Sequence, residues 1–98
     1  MNERWAEADL WRLKGDLLVG SGGIGDAIVA YETGLRIARA QGARSWELRG
    51  AMGLAALRAV RGERRAALAL VEPVLDWFRE GLDTPDLRRA ARMVRDLA

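Results

Sequence analysis

Residues 18–28, LVGSGGIGDAI, set Gly20, Gly22 and Gly25 in the spacing G-x-G-x-x-G. That spacing marks a turn that cradles a dinucleotide, provided a β-strand runs into it and a helix leaves it. The flanks therefore decide the fold. Downstream, Asp26 opens a helical pattern in which Ala27, Ile28, Tyr31, Leu35 and Ala38 share a face. Upstream, Trp5, Ala8, Trp11, Gly15 and Leu18 recur every three to four residues, which is one face of a helix and not the alternation of a strand. The stretch reads as a turn between two helices. A nucleotide held by the Gly20–Gly25 loop is the rival reading.

Working outward, the first helix spans about 3–19, and Leu10, Leu13 and Leu17 add a second apolar stripe beside the first. A helix with two stripes packs on two sides, as a layer in a stack does. Gly42 stops the second helix, as a glycine just past a helix end commonly does. Ser45 is the expected N-cap of a third helix carrying Leu48, Met52, Ala55 and Ala59, flanked by Leu54 and Leu57 and ended by Gly62. A fourth helix, about 63–80, has the clearest stripe: Ala67, Leu70, Val71, Val74, Leu75 and Phe78. Pro73 lies inside it and predicts a kink, and Gly81 closes it. In DTPDL, Thr84 or Asp83 caps a fifth helix, Pro85 takes its first position and Asp86 complements its dipole. Leu87, Ala90, Ala91 and Val94 make its apolar face. The fold class is all-α: two antiparallel helical hairpins, about 3–42 and about 44–81, and a C-terminal capping helix, about 84–97, in one domain spanning 1–98.

The 98 residues suit one small domain with a modest core. Half are apolar and 31% charged, a balance that suits a globular chain. Cysteine and histidine are absent, which removes disulfides, thiolate chemistry, the usual zinc sites and histidine bases. No catalytic residues, metal or cofactor are expected. The net charge is +2, and the arginines are interleaved with acids, so a nucleic-acid partner is disfavoured. No uncharged stretch is long enough to span a bilayer and no leader is visible, so no membrane contact and a cytoplasmic location are expected.

The hairpins are imperfect copies. Trp11, Gly15, Leu18, Gly22, Ala27, Tyr31 and Gly34 have the same offsets as Ala51, Ala55, Arg58, Gly62, Ala67, Val71 and Val74, 40 residues on. The first set resembles the tetratricopeptide (TPR) signature of large, small, turn glycine, small, aromatic and small residues. The second departs from it, with Arg58 at an apolar place and Val71 at an aromatic one. The runs LWRLKGDLL (10–18), GLRIARAQGARSWELR (34–49) and WFREGLDTPDLRRA (77–90) resemble the extreme C-terminal tail of large bacterial signalling proteins. Those proteins join an adenylate/guanylate cyclase or kinase domain to a predicted ATPase and a TPR-like array. Gly34 departs from that pattern, which has alanine there, and Gly50 and Gly53 add flexibility to the third helix. No cyclase or ATPase motif lies in the chain, so neither activity is implied.

The resemblance implies a TPR-like α-solenoid acting as a non-catalytic protein-interaction or scaffold module. It also implies a peptide- or partner-binding groove along the first helix of each hairpin, here Asp9, Arg12, Asp16, Arg49, Met52 and Ala56. A clamp for C-terminal carboxylates is not expected, because Asp16 stands where an amide is needed. Solenoids need about three repeats for stability. With two and a half, the chain is expected to self-associate as a homodimer through Leu10, Leu13 and Leu17. Of the tryptophans, Trp11 is placed in the core, Trp46 at the hairpin junction and Trp77 at an exposed edge facing a partner. The alternative function is a small nucleotide- or nucleic-acid-binding module using the Gly20–Gly25 loop or the arginine-rich last helix.

Overall fold

The computed structural model describes residues 6–78 and 84–98. Among them are five helices and no strand: α1 (Glu7–Gly20), α2 (Ile24–Gln41), α3 (Arg44–Val60), α4 (Arg64–Trp77) and α5 (Pro85–Leu97). Trp5, Gly81 and Asp83, which the sequence placed in helix one, at the end of helix four and before helix five, lie outside the described residues.

The segment before the glycine-rich stretch is helical up to Gly20. Gly22 alone in that stretch needs to be glycine, since it takes a left-handed φ of 85°, whereas Gly20 and Gly25 have neither positive φ nor any atom that a Cβ would meet within 4 Å. The whole turn recurs 40 residues later. Gly22 N–H donates to the Val19 carbonyl and Gly23 N–H to that of Leu18; Gly62 N–H donates to Ala59 and Glu63 N–H to Arg58. Gly62 has a φ of 81°. The repeat seen in side-chain types is thus a repeat of backbone hydrogen bonds. It holds although Arg58 stands in the place of Leu18. Arg58 turns its charge outward to Glu63, 3.3 Å away, and Glu32, 3.6 Å away.

α1 packs on α2 and α3 on α4, and α2 packs on α3 to join the two pairs. α5 lies against α3 and α4, and α1 also touches α3. The core runs through all five helices: Ala8, Ala27, Tyr31, Leu35, Leu48, Ala51, Leu54, Ala55, Ala67, Val71, Val74, Leu87 and Ala90 are buried. Tyr31 is the wedge of the first hairpin. Its ring is held between two glycines: a Cβ on Gly15 would lie 2.6 Å from the ring, and one on Gly53 2.7 Å from it. Gly34 brings the helices closer still. A Cβ there would sit 2.8 Å from the Ala8 carbonyl oxygen and 3.1 Å from Trp11 Cβ. The departure of Gly34 from alanine is therefore required by the close approach of α1 and α2.

The α2–α3 turn closes on Gly42, with a left-handed φ of 67°. Beside it, buried Glu47 accepts hydrogen bonds from Arg39 Nε at 3.2 Å and Arg44 Nη1 at 3.0 Å. Ser45 does not cap α3. The helix begins at Arg44, one residue too early, with Ala43 at the cap position and no side-chain cap bond. α4 continues through Pro73 to Trp77. Ala91 is exposed, because α5 buries only the narrower row of Leu87 and Ala90.

The start of α5 follows its sequence signals: Thr84 Oγ1 accepts from Leu87 N at 3.2 Å, and Pro85 occupies the first turn. Replacing Thr84 with alanine is expected to cost about 1 kcal/mol of stability in urea unfolding. No loss would show that this bond does not hold α5 in place.

Candidate partner-binding cleft

α1, α3 and α5 lie side by side, and a cleft of about 420 Å³ runs across them. Arg12 and Asp16 line it from α1, Arg49, Met52 and Gly53 from α3, and Asp86, Arg89 and Met93 from α5. Of the six groove residues expected from sequence, the structure brings Arg12, Asp16, Arg49 and Met52 into this cleft. Asp9 touches its rim through Arg12 and Arg49. Ala56 is exposed and stands off the lining.

The charged residues form a continuous chain. Arg12 Nη1 donates to Asp16 at 2.9 Å and Arg12 Nε to Asp9 at 2.8 Å. Arg49 Nη1 lies 3.9 Å from Asp9, and Arg49 Nε donates to Asp86 at 2.7 Å. Arg89 donates to the other oxygen of Asp86. At the α1 end, the Tyr31 hydroxyl donates to Asp16 at 2.5 Å, so the chain is anchored in the core. Burial, with this bond and the neighbouring negative charge, pushes the Tyr31 phenol well above its ordinary value, so it stays neutral. The bond to Asp9, more than any other contact, holds the Arg12 proton tighter than usual. A ligand carboxylate would have to displace Asp9 or Asp16 from Arg12.

Burial alone would raise the Asp86 carboxyl, but hydrogen bonds from Arg49 and Arg89, and their charges, outweigh it and hold the group below its ordinary value. A carboxylate lowered on folding stabilises the fold above its unfolded pKa, and that stabilisation is lost as pH falls through the folded pKa. The thermal midpoint is therefore expected to fall on acidification below about pH 4, with part of the fall due to Asp86. Arg49→Ala should flatten that part; identical pH profiles for wild type and variant would deny the coupling.

Leu10, Leu13 and Leu17 form an exposed row on α1. Trp11 is only partly buried, and the Lys14 ammonium sits 4.8 Å above its ring. Trp46 is likewise partly buried near the start of α3. Trp77 is exposed, edge-on to Phe78, with the Arg44 guanidinium 5.2 Å from its ring centre. The Gly20–Gly25 stretch is a helix–helix turn with no strand feeding it. Among the described residues no group of three acidic, histidine or cysteine side chains converges as a metal site, and no helix is long and apolar enough to cross a membrane.

No family model matches the chain, and no curated protein or solved structure is similar to it.

Sequence reasoning missed the part of the cleft supplied by α5, which it treated as a cap. A signal was present. Asp9-Leu10-Trp11-Arg12 and Asp86-Leu87-Arg88-Arg89 share the pattern D-L-x-R, and Met93 follows Arg89 as Asp16 follows Arg12, four residues on.

Proposed function

We propose that this chain is a non-catalytic protein-interaction module of TPR-like build, and that the cleft across α1, α3 and α5 takes an extended peptide. The observation that carries the reading is the cleft itself: three parallel ridges, one from every second helix, with Met52 and Met93 as apolar contacts between arginines already tied to aspartates. Methionine adapts to varied apolar side chains. Arginines shared among aspartates can change partners without stranding a charge, which suits a peptide of mixed character better than a strongly acidic one. The acids of the cleft are held by arginines, which supports a binding role. The hairpin turn repeated 40 residues on supports the solenoid reading.

The test is panning a random peptide library on the immobilised chain, followed by anisotropy titration of the selected peptides. They are expected to bind at about micromolar Kd and to lose tenfold or more in affinity with Met52→Glu. Peptides that bind the variant equally well, or a library that yields none, would overturn the reading. Binding of ATP or NAD that Gly22→Ala abolishes would favour the nucleotide alternative.

A further inference from the structure

Helices α1, α3 and α5 carry the same face three times. Residues 10, 13 and 17 of α1 correspond to 50, 53 and 57 of α3 and to 87, 90 and 94 of α5, on the spacing that aligns the three ridges of the cleft. On α3 this face receives α2: Gly50 lies under Leu35, Gly53 under the Tyr31 ring, and Leu57 is buried. On α5 it is buried against the core through Leu87 and Ala90, with Val94 packed beside them. On α1 it is bare, with Leu10 63%, Leu13 45% and Leu17 76% exposed.

We propose that this face is covered by α1 of a second copy of the chain, in a two-fold dimer. The spacing of Leu10, Leu13 and Leu17 is that of successive core positions in a coiled-coil seam. The size of the side chains selects the occupant. Where α3 offers two glycines to an aromatic wedge, α1 offers leucines. A helix bearing a residue such as Tyr31 would collide with them, whereas a second leucine row interdigitates. The outer side of α5 exposes Arg92 and Arg95, so a head-to-tail contact would set these arginines on the leucines. Among the described residues, the other exposed large apolar side chains, Val29, Val60 and Trp77, stand singly on α2, α3 and α4. The leucine row is thus its own best match, as a two-fold contact requires. A seam on a 14-residue helix is short, so the dimer dissociates on dilution. The inference uses the same repeat register as the proposed function but a different surface, so a failure here leaves the peptide experiment on the cleft to be judged separately.

The test is light scattering after size exclusion on the full chain, from about 200 μM to about 1 μM, beside Leu17→Glu. Wild type is expected to pass from near twice the 10.8 kDa protomer mass to that mass on dilution, and Leu17→Glu to stay at protomer mass throughout. Because the chain has no cysteine, Leu13→Cys adds one thiol in the middle of the seam and should form a disulfide-linked dimer on mild oxidation. Val60→Cys, exposed away from the row, should not. A wild type that is monomeric at the highest concentration overturns the proposal. So does a dimer that survives Leu17→Glu, or equal cross-linking through Val60→Cys. Should Leu17→Glu fail to fold, the two cysteine variants decide the matter by themselves.

Discussion

Tyr31→Ala is expected to remove about 3–5 kcal/mol of stability, a large share of the roughly 5–15 kcal/mol that holds a domain together. The ring is 3% exposed, fills the space between Gly15 and Gly53, and carries the hydroxyl that anchors Asp16. Its loss empties the joint of α1, α2 and α3 at one stroke. Tyr31→Phe separates the two contributions: it keeps the wedge, and Asp16 keeps Arg12, so about 1 kcal/mol should go. The glycines supply a second check. In the Tyr31→Ala background, Gly15→Ala and Gly53→Ala fill part of the void and should restore stability, whereas in the wild type each should destabilise. Urea unfolding of the set measures all of this. A cost below about 1 kcal/mol for Tyr31→Ala, or no change of sign between backgrounds, would show that the ring does not act as the wedge.

The second large effect concerns Gly34. Alanine is the better helix former by about 1 kcal/mol, so an unconstrained site would gain from Gly34→Ala. Here the new methyl group would sit 2.8 Å from the Ala8 carbonyl oxygen. That atom belongs to backbone and cannot swing aside. We expect a net loss of about 1–3 kcal/mol for Gly34→Ala, and more for Gly34→Val, as α1 is pushed off α2. Gly25→Ala is the control: its Cβ would meet nothing, and it should be neutral or stabilising. If Gly34→Ala matches Gly25→Ala, the close approach of the two helices is not real.

These contacts also explain which features could be read in advance. Local signals worked where local chemistry decides: Gly22 and Gly62 at left-handed turns, Gly42 after α2, and Thr84-Pro85 at the start of α5. Ser45 misled because the chain enters helix one residue earlier, at Arg44, beside the two arginine bonds of Glu47. Ala91 misled because apolar spacing overstates the width of a face that buries only part of it. The weak signature of the second hairpin came from judging positions singly. Trp11 faces Gly34 in the first hairpin, and Ala51 and Val74 stand at the corresponding places in the second, both buried. Gly15 with Tyr31 corresponds to Ala55 with Val71. A large and a tiny residue have become two of middle size. The α1 and α3 ridges of the cleft followed from the repeat register. Its α5 ridge required the packing of α5 beside α3, which no local pattern fixes.

That exchange of volumes bears on how the chain reaches its fold. Repeated hairpins risk assembling with the wrong partner, because each helix offers a similar stripe to several others. In this chain a swapped pairing of α1 with α4 would press Trp11 against Val74 and overfill the joint, while α3 in the place of α1 on α2 would leave a hole between Ala51 and Gly34. The two halves share one backbone plan but carry non-interchangeable keys, so the correct topology is the one in which every joint is filled once.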